Sequence, residues 1–311
     1  MGFLFYQEPL FLLVEMKKRP FLMASLTVAV IFIFFLLVIF TAGMFGAGSV
    51  FVSVGDKIGI LEVEGAITDS RLMTAQIKEF REHSNIKAVV VRIDSPGGGV
   101  APSQEIYAEL KRLAEEKPLV VSMGSVAASG GYYLAVAAEH IFANPGTITG
   151  SIGVIMSFPN YQELMGKVGV QTEVVKSGRF KDIGSATRSF TEADRILLQG
   201  MIDDVHQQFV EAISAGRNMP IDRLQPFVDG RIFTGRKAKD IGLIDELGTL
   251  DDAIKYAAKI AGIDEESDLV YPEPEKINLV DRYLQSAMSR FFGVNLNTKN
   301  MIGPQYLWNG Y

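Results

Sequence analysis

Two runs in the middle of the chain, Ala88–Ile93 and Pro118–Met123, are apolar almost without interruption and rich in valine. A strand wet on one face alternates polar and apolar residues, whereas an unalternating run is covered on both faces. Between them, Ser103–Glu116 sets Ile106, Leu110 and Leu113 at helical spacing. Buried strand, amphipathic helix and buried strand together predict parallel pairing through a right-handed crossover. Upstream, Ile58–Val63 predicts a strand and Thr74–His83 a helix. Downstream, Ile141–Ala143, Gly153–Met156 and Thr172–Lys176 predict strands, with a helix over Asn160–Val168. A long helix opens at Thr191, with Asp194 completing a capping box. Its stripe is Leu198, Ile202, Val205, Phe209 and Ile213, and Gly216 and Pro220 end it. Shorter helices are predicted over Leu224–Val228, Arg236–Ile241 and Asp251–Ala261. The expected fold class is α/β, a mainly parallel sheet with flanking helices.

Ahead of this domain, Phe21–Phe45 carries no charge and is rich in Phe, Leu, Ile and Val. At about 1.5 Å per residue it is long enough for a hydrocarbon core of roughly 30 Å. It exceeds the apolar core of a signal peptide, so a retained transmembrane helix is expected. The small residues Gly43, Gly46, Ala47, Gly48 and Ser49 leave cleavage as the other reading. Lys17, Lys18 and Arg19 before the span predict a cytoplasmic N-terminus and an extracytoplasmic, periplasmic domain at the inner cell membrane. Met16 offers a second start, just before this basic cluster. The expected organisation is a cytoplasmic segment (1–20), the span (21–45), a linker (46–56), the α/β domain (57–264) and a C-terminal extension (265–311). The linker reaches at most about 40 Å, so the domain works close to the bilayer.

Composition narrows the chemistry. A net charge of −6 gives no reason to expect nucleic acid. The absence of cysteine removes disulfides, thiolate metal sites and a thiol nucleophile. The histidines, His83, His140 and His206, are scattered without metal-ligand spacing, and no metal or cofactor is expected.

Three segments fall just beyond strand ends, where parallel sheets place their ligand sites. The first is Gly124–Tyr133, with Ser129 at a strand-to-helix turn. Free N–H groups there suit a nucleophile, and they equally suit a serine that only caps the helix. The second is Asp94–Gly99, whose three glycines can present bare amides to an anion or simply turn the chain. The third, Lys176–Ile183, is a basic loop that by default is a solvated surface. A nucleophilic serine needs a base. His140 is expected at the far end of the helix that follows Ser129, pointing elsewhere, and His206 beside the long helix's stripe as a structural residue. Lysine remains. Moving an amine from about 10.4 to near 7 takes about 4 kcal/mol, within reach of burial. Such a lysine must be shielded from water and held by hydroxyls, with no carboxylate beside it. Lys181 is a candidate, and Ser151 offers the hydroxyl.

Taken together, Asp94-Ser-Pro-Gly-Gly-Gly99, Met123-Gly-Ser-Val-Ala-Ala-Ser-Gly-Gly-Tyr-Tyr133, Thr149-Gly-Ser-Ile-Gly-Val154 and Lys176-Ser-Gly-Arg-Phe-Lys-Asp182 closely resemble signal peptide peptidase A. That family consists of membrane-anchored serine proteases with the Clp protease/crotonase fold, and the resemblance covers about Lys57–Ala261. It implies Ser129 as nucleophile, Lys181 as general base and Ser151 as the hydroxyl orienting the lysine. It also implies an oxyanion hole from the amides of Gly98 and Gly130. Short members form dome-shaped rings in which neighbouring subunits are thought to share a site, so a homo-oligomeric ring is expected. Longer members carry two copies of the domain; this chain has one. The implied activity is degradation of cleaved signal peptides and other apolar peptides at the lipid bilayer. Alternatives are trimming of one membrane-protein partner, as proteases linked to stomatin-like proteins do, a crotonase-type acyl-CoA enzyme, and a non-catalytic membrane scaffold.

Overall fold

A computed structural model describes residues 20–45, 55–273 and 304–308. The chain divides into two units, Met1–Val54 and Gly55–Tyr311. The first contains α1 (Pro20–Phe45), a helix of 26 residues. Its side chains are described at Phe21 and from Ser25 to Leu37, where they are exposed and include one phenylalanine pair, Phe34 edge-on to Phe35. Among the described residues no helix is both long and apolar enough to cross a membrane. The ends of α1, where the expected anchor would complete its span, lie outside the described side chains.

The second unit begins with β1 (Lys57–Glu64), α2 (Arg71–Glu82), β2 (Ile86–Ser95) and β3 (Gly97–Gly99). Then come α3 (Val100–Glu116), β4 (Leu119–Ala128), α4 (Gly130–Ala135), β5 (His140–Ala143) and β6 (Ile148–Gly150). The helices α5 (Gln162–Lys167), α6 (Glu192–Gly216) and α7 (Ile221–Leu224) follow, with a 3₁₀ turn over Gln225–Phe227. The chain continues through β7 (Ile232–Thr234), α8 (Gly235–Ile241), β8 (Glu246–Leu247), α9 (Leu250–Ala261) and β9 (Asp268–Val270). The last described element is β10 (Gln305–Leu307).

Strands β7-β6-β4-β2-β1-β9 pair in that order, and β5 joins β4 to β8. Every pairing in this sheet is parallel except β6 with β7. The fold is thus α/β, with helices on a mostly parallel sheet. The apolar runs are its centre: Val89, Val90, Val91, Ile93, Val120, Val121 and Met123 are all buried. Two core clusters explain why those strands do not alternate. Leu61, Val89, Val91 and Val121 face α3 and α4, while Ile60, Ala88, Val90 and Val120 face Ala253, Ala257 and Ala258 of α9.

The long helix starts as expected. Thr191 Oγ1 accepts from Asp194 N and the Asp194 carboxylate accepts from Thr191 N. Other expectations fail. Gly153–Met156 is no strand but a single bridge from Ile155 to Gln305, because left-handed backbone at Gly150 and Ser151 turns the chain out of β6. Thr172–Lys176 has no regular structure. Its residues are exposed, so its β-branched side chains have no strand or layer to pack on. His140 is not at a helix end: α4 stops at Ala135 and His140 opens β5, stacked on Tyr256 at 4.1 Å.

Candidate active site

Ser129 stands at the corner between β4 and α4. The residue is 1% exposed, and its backbone is held at φ 53°, ψ −116°. That region is costly for a residue with a Cβ and persists only where the surroundings enforce it. The enforcement is visible. Ser129 N donates to Gly150 O at 2.8 Å, and Tyr133 N donates to Ser129 O at 2.8 Å. Thr149 Oγ1 donates to Ala127 O, and Thr147 Oγ1 to Gly124 O, both at 2.7 Å, lashing β6 to the end of β4. As a cap, Ser129 makes no side-chain hydrogen bond to the helix it precedes. The capping alternative therefore loses its contact, and the hydroxyl is left for other work.

The glycine turn lies against this corner. Asp94 fixes β4 by accepting from Ser125 N and Val126 N at 3.2 and 3.1 Å. Ser95 Oγ donates to Gly65 O and accepts from Gly97 N, which sets β3 in place. Gly97 has φ +97°, and a Cβ there would stand 2.6 Å from Gly130 N. A Cβ on Gly130 would stand 3.2 Å from Gly98 N. So the amides of Gly98 and Gly130 border one small space beside Ser129, and only bare glycines let these backbones meet so closely.

Ser151 adjoins the corner because it follows Gly150, the acceptor of the Ser129 amide. It too is buried with left-handed backbone, φ 50°, and its N donates to Arg231 O at 2.8 Å. It lines a cleft of about 460 Å³ with Ile155, Gln199, Asp203, His206, Leu307 and Trp308. His206, expected to be structural, has its Nε2 buried there without a hydrogen-bond partner among the described residues.

Lys181 is different. It sits in the turn-rich loop before α6, its side chain is exposed, and no hydrogen bond or ion pair among the described residues links it to Ser129 or Ser151. Within one chain the shielding that a lysine base requires is absent. The carboxylate next to it in sequence is occupied elsewhere. Asp182 accepts from Arg188 Nε at 2.8 Å and from Lys176 Nζ at 2.6 Å. Those bonds, that of Arg188 foremost, hold the Asp182 carboxyl well below the usual carboxylate range. Arg188 also grips Asp194 of the α6 cap at 2.6 Å, tying the Lys181 loop to the helix start. Asp182 is thereby turned away from duty beside the Lys181 amine.

Sequence reasoning left the chain's end without a role. In the structure β10 pairs antiparallel with β3, so residues 305–307 lie on the glycine strand itself. The one signal was composition: Tyr306, Leu307 and Trp308 are aromatic or apolar within a polar tail.

Comparison with known proteins fits this geometry. The model of Peptidase family S49 matches residues 111–264, and that of Clp protease matches residues 56–148. A Synechocystis protein named "Putative protease slr0021" is 48% identical over 225 residues, covering 72% of this chain and 78% of that protein. "Serine protease SPPA, chloroplastic" of Arabidopsis thaliana is 35% identical, covering 72% of this chain but only 32% of that longer one. An Enterococcus faecium protein named "Putative signal peptide peptidase SppA" is 31% identical, covering 79% and 75%. On the strength of that identity and coverage, the chain belongs to peptidase family S49, the serine peptidases related to signal peptide peptidase A.

Proposed function

We propose that this chain hydrolyses peptides with Ser129 as nucleophile and Lys181 as general base. The observation that carries the reading is the Ser129 corner: a buried serine in enforced left-handed backbone, with the Gly97–Gly98 backbone packed closely against Gly130 beside it. The neutral Lys181 amine takes the Ser129 proton as Oγ bonds to the peptide carbonyl carbon. Negative charge gathers on the carbonyl oxygen, facing the Gly98 and Gly130 amides, each such donor being worth roughly 2.7–4 kcal/mol. The C–N bond breaks, and the lysine ammonium returns its proton to the leaving amine. Water, losing a proton to the now neutral Lys181, then attacks the ester carbonyl; the ester C–O bond breaks and the Lys181 ammonium returns that proton to Ser129 Oγ. Ser151 orients the amine, and no step needs a metal or cofactor.

The exposed Lys181 favours a site shared between subunits of a ring, in which packing against a neighbour would shield the amine. The uncharged run Phe21–Phe45, whose end side chains lie outside the described residues, is read as the membrane anchor, with the N-terminus cytoplasmic and the peptidase domain outside. Substrates are then cleaved signal peptides and other apolar peptides at the bilayer surface. Support for the substrate class comes from the Enterococcus relative's name and from the short linker. Peptide hydrolysis by Ser129→Ala and Lys181→Ala chains tests the pair. Each alone should be inactive, and co-assembly of the two should restore part of the activity if the site is shared. Near-normal activity in either single variant would refute the assignment.

A further inference from the structure

The buried face of α3 carries one polar side chain. Val100, Ser103, Ile106, Leu110 and Leu113 are its buried residues, and Ser103 is 0% exposed. Stability alone gives no reason for a hydroxyl there. A serine inside a helix that bonds back to the residue four before it is neutral or slightly destabilising. Alanine, of nearly the same size, is the better helix former. A local preference broken without a structural gain points to function.

The hydroxyl meets both halves of the proposed oxyanion site. It donates to Gly99 O at 2.9 Å, which ties α3 to the last residue of β3. It also lies 2.8 Å from the point where a Cβ on Gly130 would stand. That same point is 3.1 Å from Gly97 Cα and 3.2 Å from Gly98 N. Ser103 Oγ, the glycine strand and the first residue of α4 are therefore packed around one spot. One turn further along α3, Tyr107 tilts against Tyr133 at 4.9 Å, so the helix stays in contact with α4 beyond that spot.

This packing answers a need of the chemistry. The two proposed donors belong to separate segments, Gly98 to β3 and Gly130 to the start of α4. Ile67 N donates to Gly97 O and Gly99 N donates to Ile67 O, both at 2.8 Å, which holds β3 from the side of Ile67. Those bonds do not set its distance from α4. Oxyanion donors help only when they are in place before the charge develops. Ser103 is a side chain that touches both segments.

We infer that Ser103 is a positioning residue of the proposed peptidase. Its hydroxyl braces β3 against α4 and holds the Gly98 amide at its working distance from Gly130. It acts through those two glycines, and the inference rests on the peptidase reading above.

The test compares the full-length chain with its Ser103→Ala variant in peptide hydrolysis, inhibition by a peptide aldehyde and urea unfolding. The aldehyde's adduct with Ser129 puts an oxygen where the oxyanion forms, so it reports transition-state binding. Ser103→Ala should keep its urea midpoint and its KM. Its kcat should fall about tenfold, the scale of one neutral hydrogen bond, and aldehyde inhibition should weaken by a similar factor. Unchanged kcat and aldehyde affinity, or a loss confined to KM or to the urea midpoint, would overturn the brace. If Ser103→Ala does not fold, Ser103→Cys keeps the size and weakens the donor. A lowered kcat at constant KM then supports the brace, and a wild-type kcat overturns it. The two levels of failure are distinguishable. An active parent chain with an unaffected Ser103→Ala removes only the brace. A parent chain without peptidase activity, or one still active as Ser129→Ala, removes the peptidase reading and the brace with it.

Discussion

At the scale of single residues, the account rests on where backbone strain is held. Ser129 and Ser151 both adopt positive φ with a side chain present, on adjoining strand ends. Gly98 is the companion test, since a Cβ there would stand 2.1 Å from Ile67 O, a backbone atom that cannot swing aside. Gly98→Ala should shift β3 and misplace its amide, lowering kcat by about 10²–10³-fold, the cost of one oxyanion donor. Steady-state peptide hydrolysis checks it, and a drop confined to KM would argue that Gly98 only shapes the groove. These residues were legible in the sequence because glycine and serine clusters after apolar strands have few physical uses. The fate of the Lys181 amine was not legible: whether a charge is shielded depends on surfaces that meet it in space, and in the single chain it faces water.

At the scale of elements, periodicity and capping located what burial enforces. Strands β2 and β4 and helix α6 follow from continuous apolar runs and from a capping box. Thr191→Ala should cost about 1 kcal/mol, as loss of a helix cap usually does, measurable as a lower urea midpoint. Because Arg188 bridges Asp194 and Asp182, the same change should loosen the Lys181 loop. Where reading failed, packing was the missing information. Thr172–Lys176 has strand-forming residues but no layer to lie on, whereas β3 (Gly-Gly-Gly) and β6 (Ile-Thr-Gly) are three-residue strands held by neighbours. The pairing of β10 with β3 joins residues far apart in the chain, and no local pattern announces such a contact. A second element test concerns Arg217, whose guanidinium is largely buried against Asp245 at 2.7 and 2.9 Å. Asp245→Ala strands that charge and should cost about 3–5 kcal/mol, read by chemical denaturation.

At the scale of the whole molecule, charge pairing sets the response to acid. Asp182 and Asp194 are held below the usual carboxylate range, chiefly by bonds from Arg188. Burial, the largest single effect, pushes Asp245 up, but the hydrogen bonds and charge of Arg217 together with the Ile141 N–H outweigh it and leave that carboxyl lowered too. A depressed folded pKa means that the unfolded chain binds protons first. This stabilisation is therefore complete above about pH 4 and is lost as pH falls below it. The urea midpoint should be lower at pH 3 than at pH 6, with Asp245→Asn showing a smaller drop. An unchanged midpoint would mean that these pairs contribute nothing net.

The central claim is that one serine of this chain is activated, and that Lys181 activates it. The direct measurement is labelling of the full-length protein by a serine-reactive fluorophosphonate, located by peptide mass spectrometry. The account predicts modification at Ser129, abolished in Lys181→Ala and retained in a chain altered at exposed Lys167. Labelling at another serine, or undiminished labelling of Ser129 without Lys181, would contradict it.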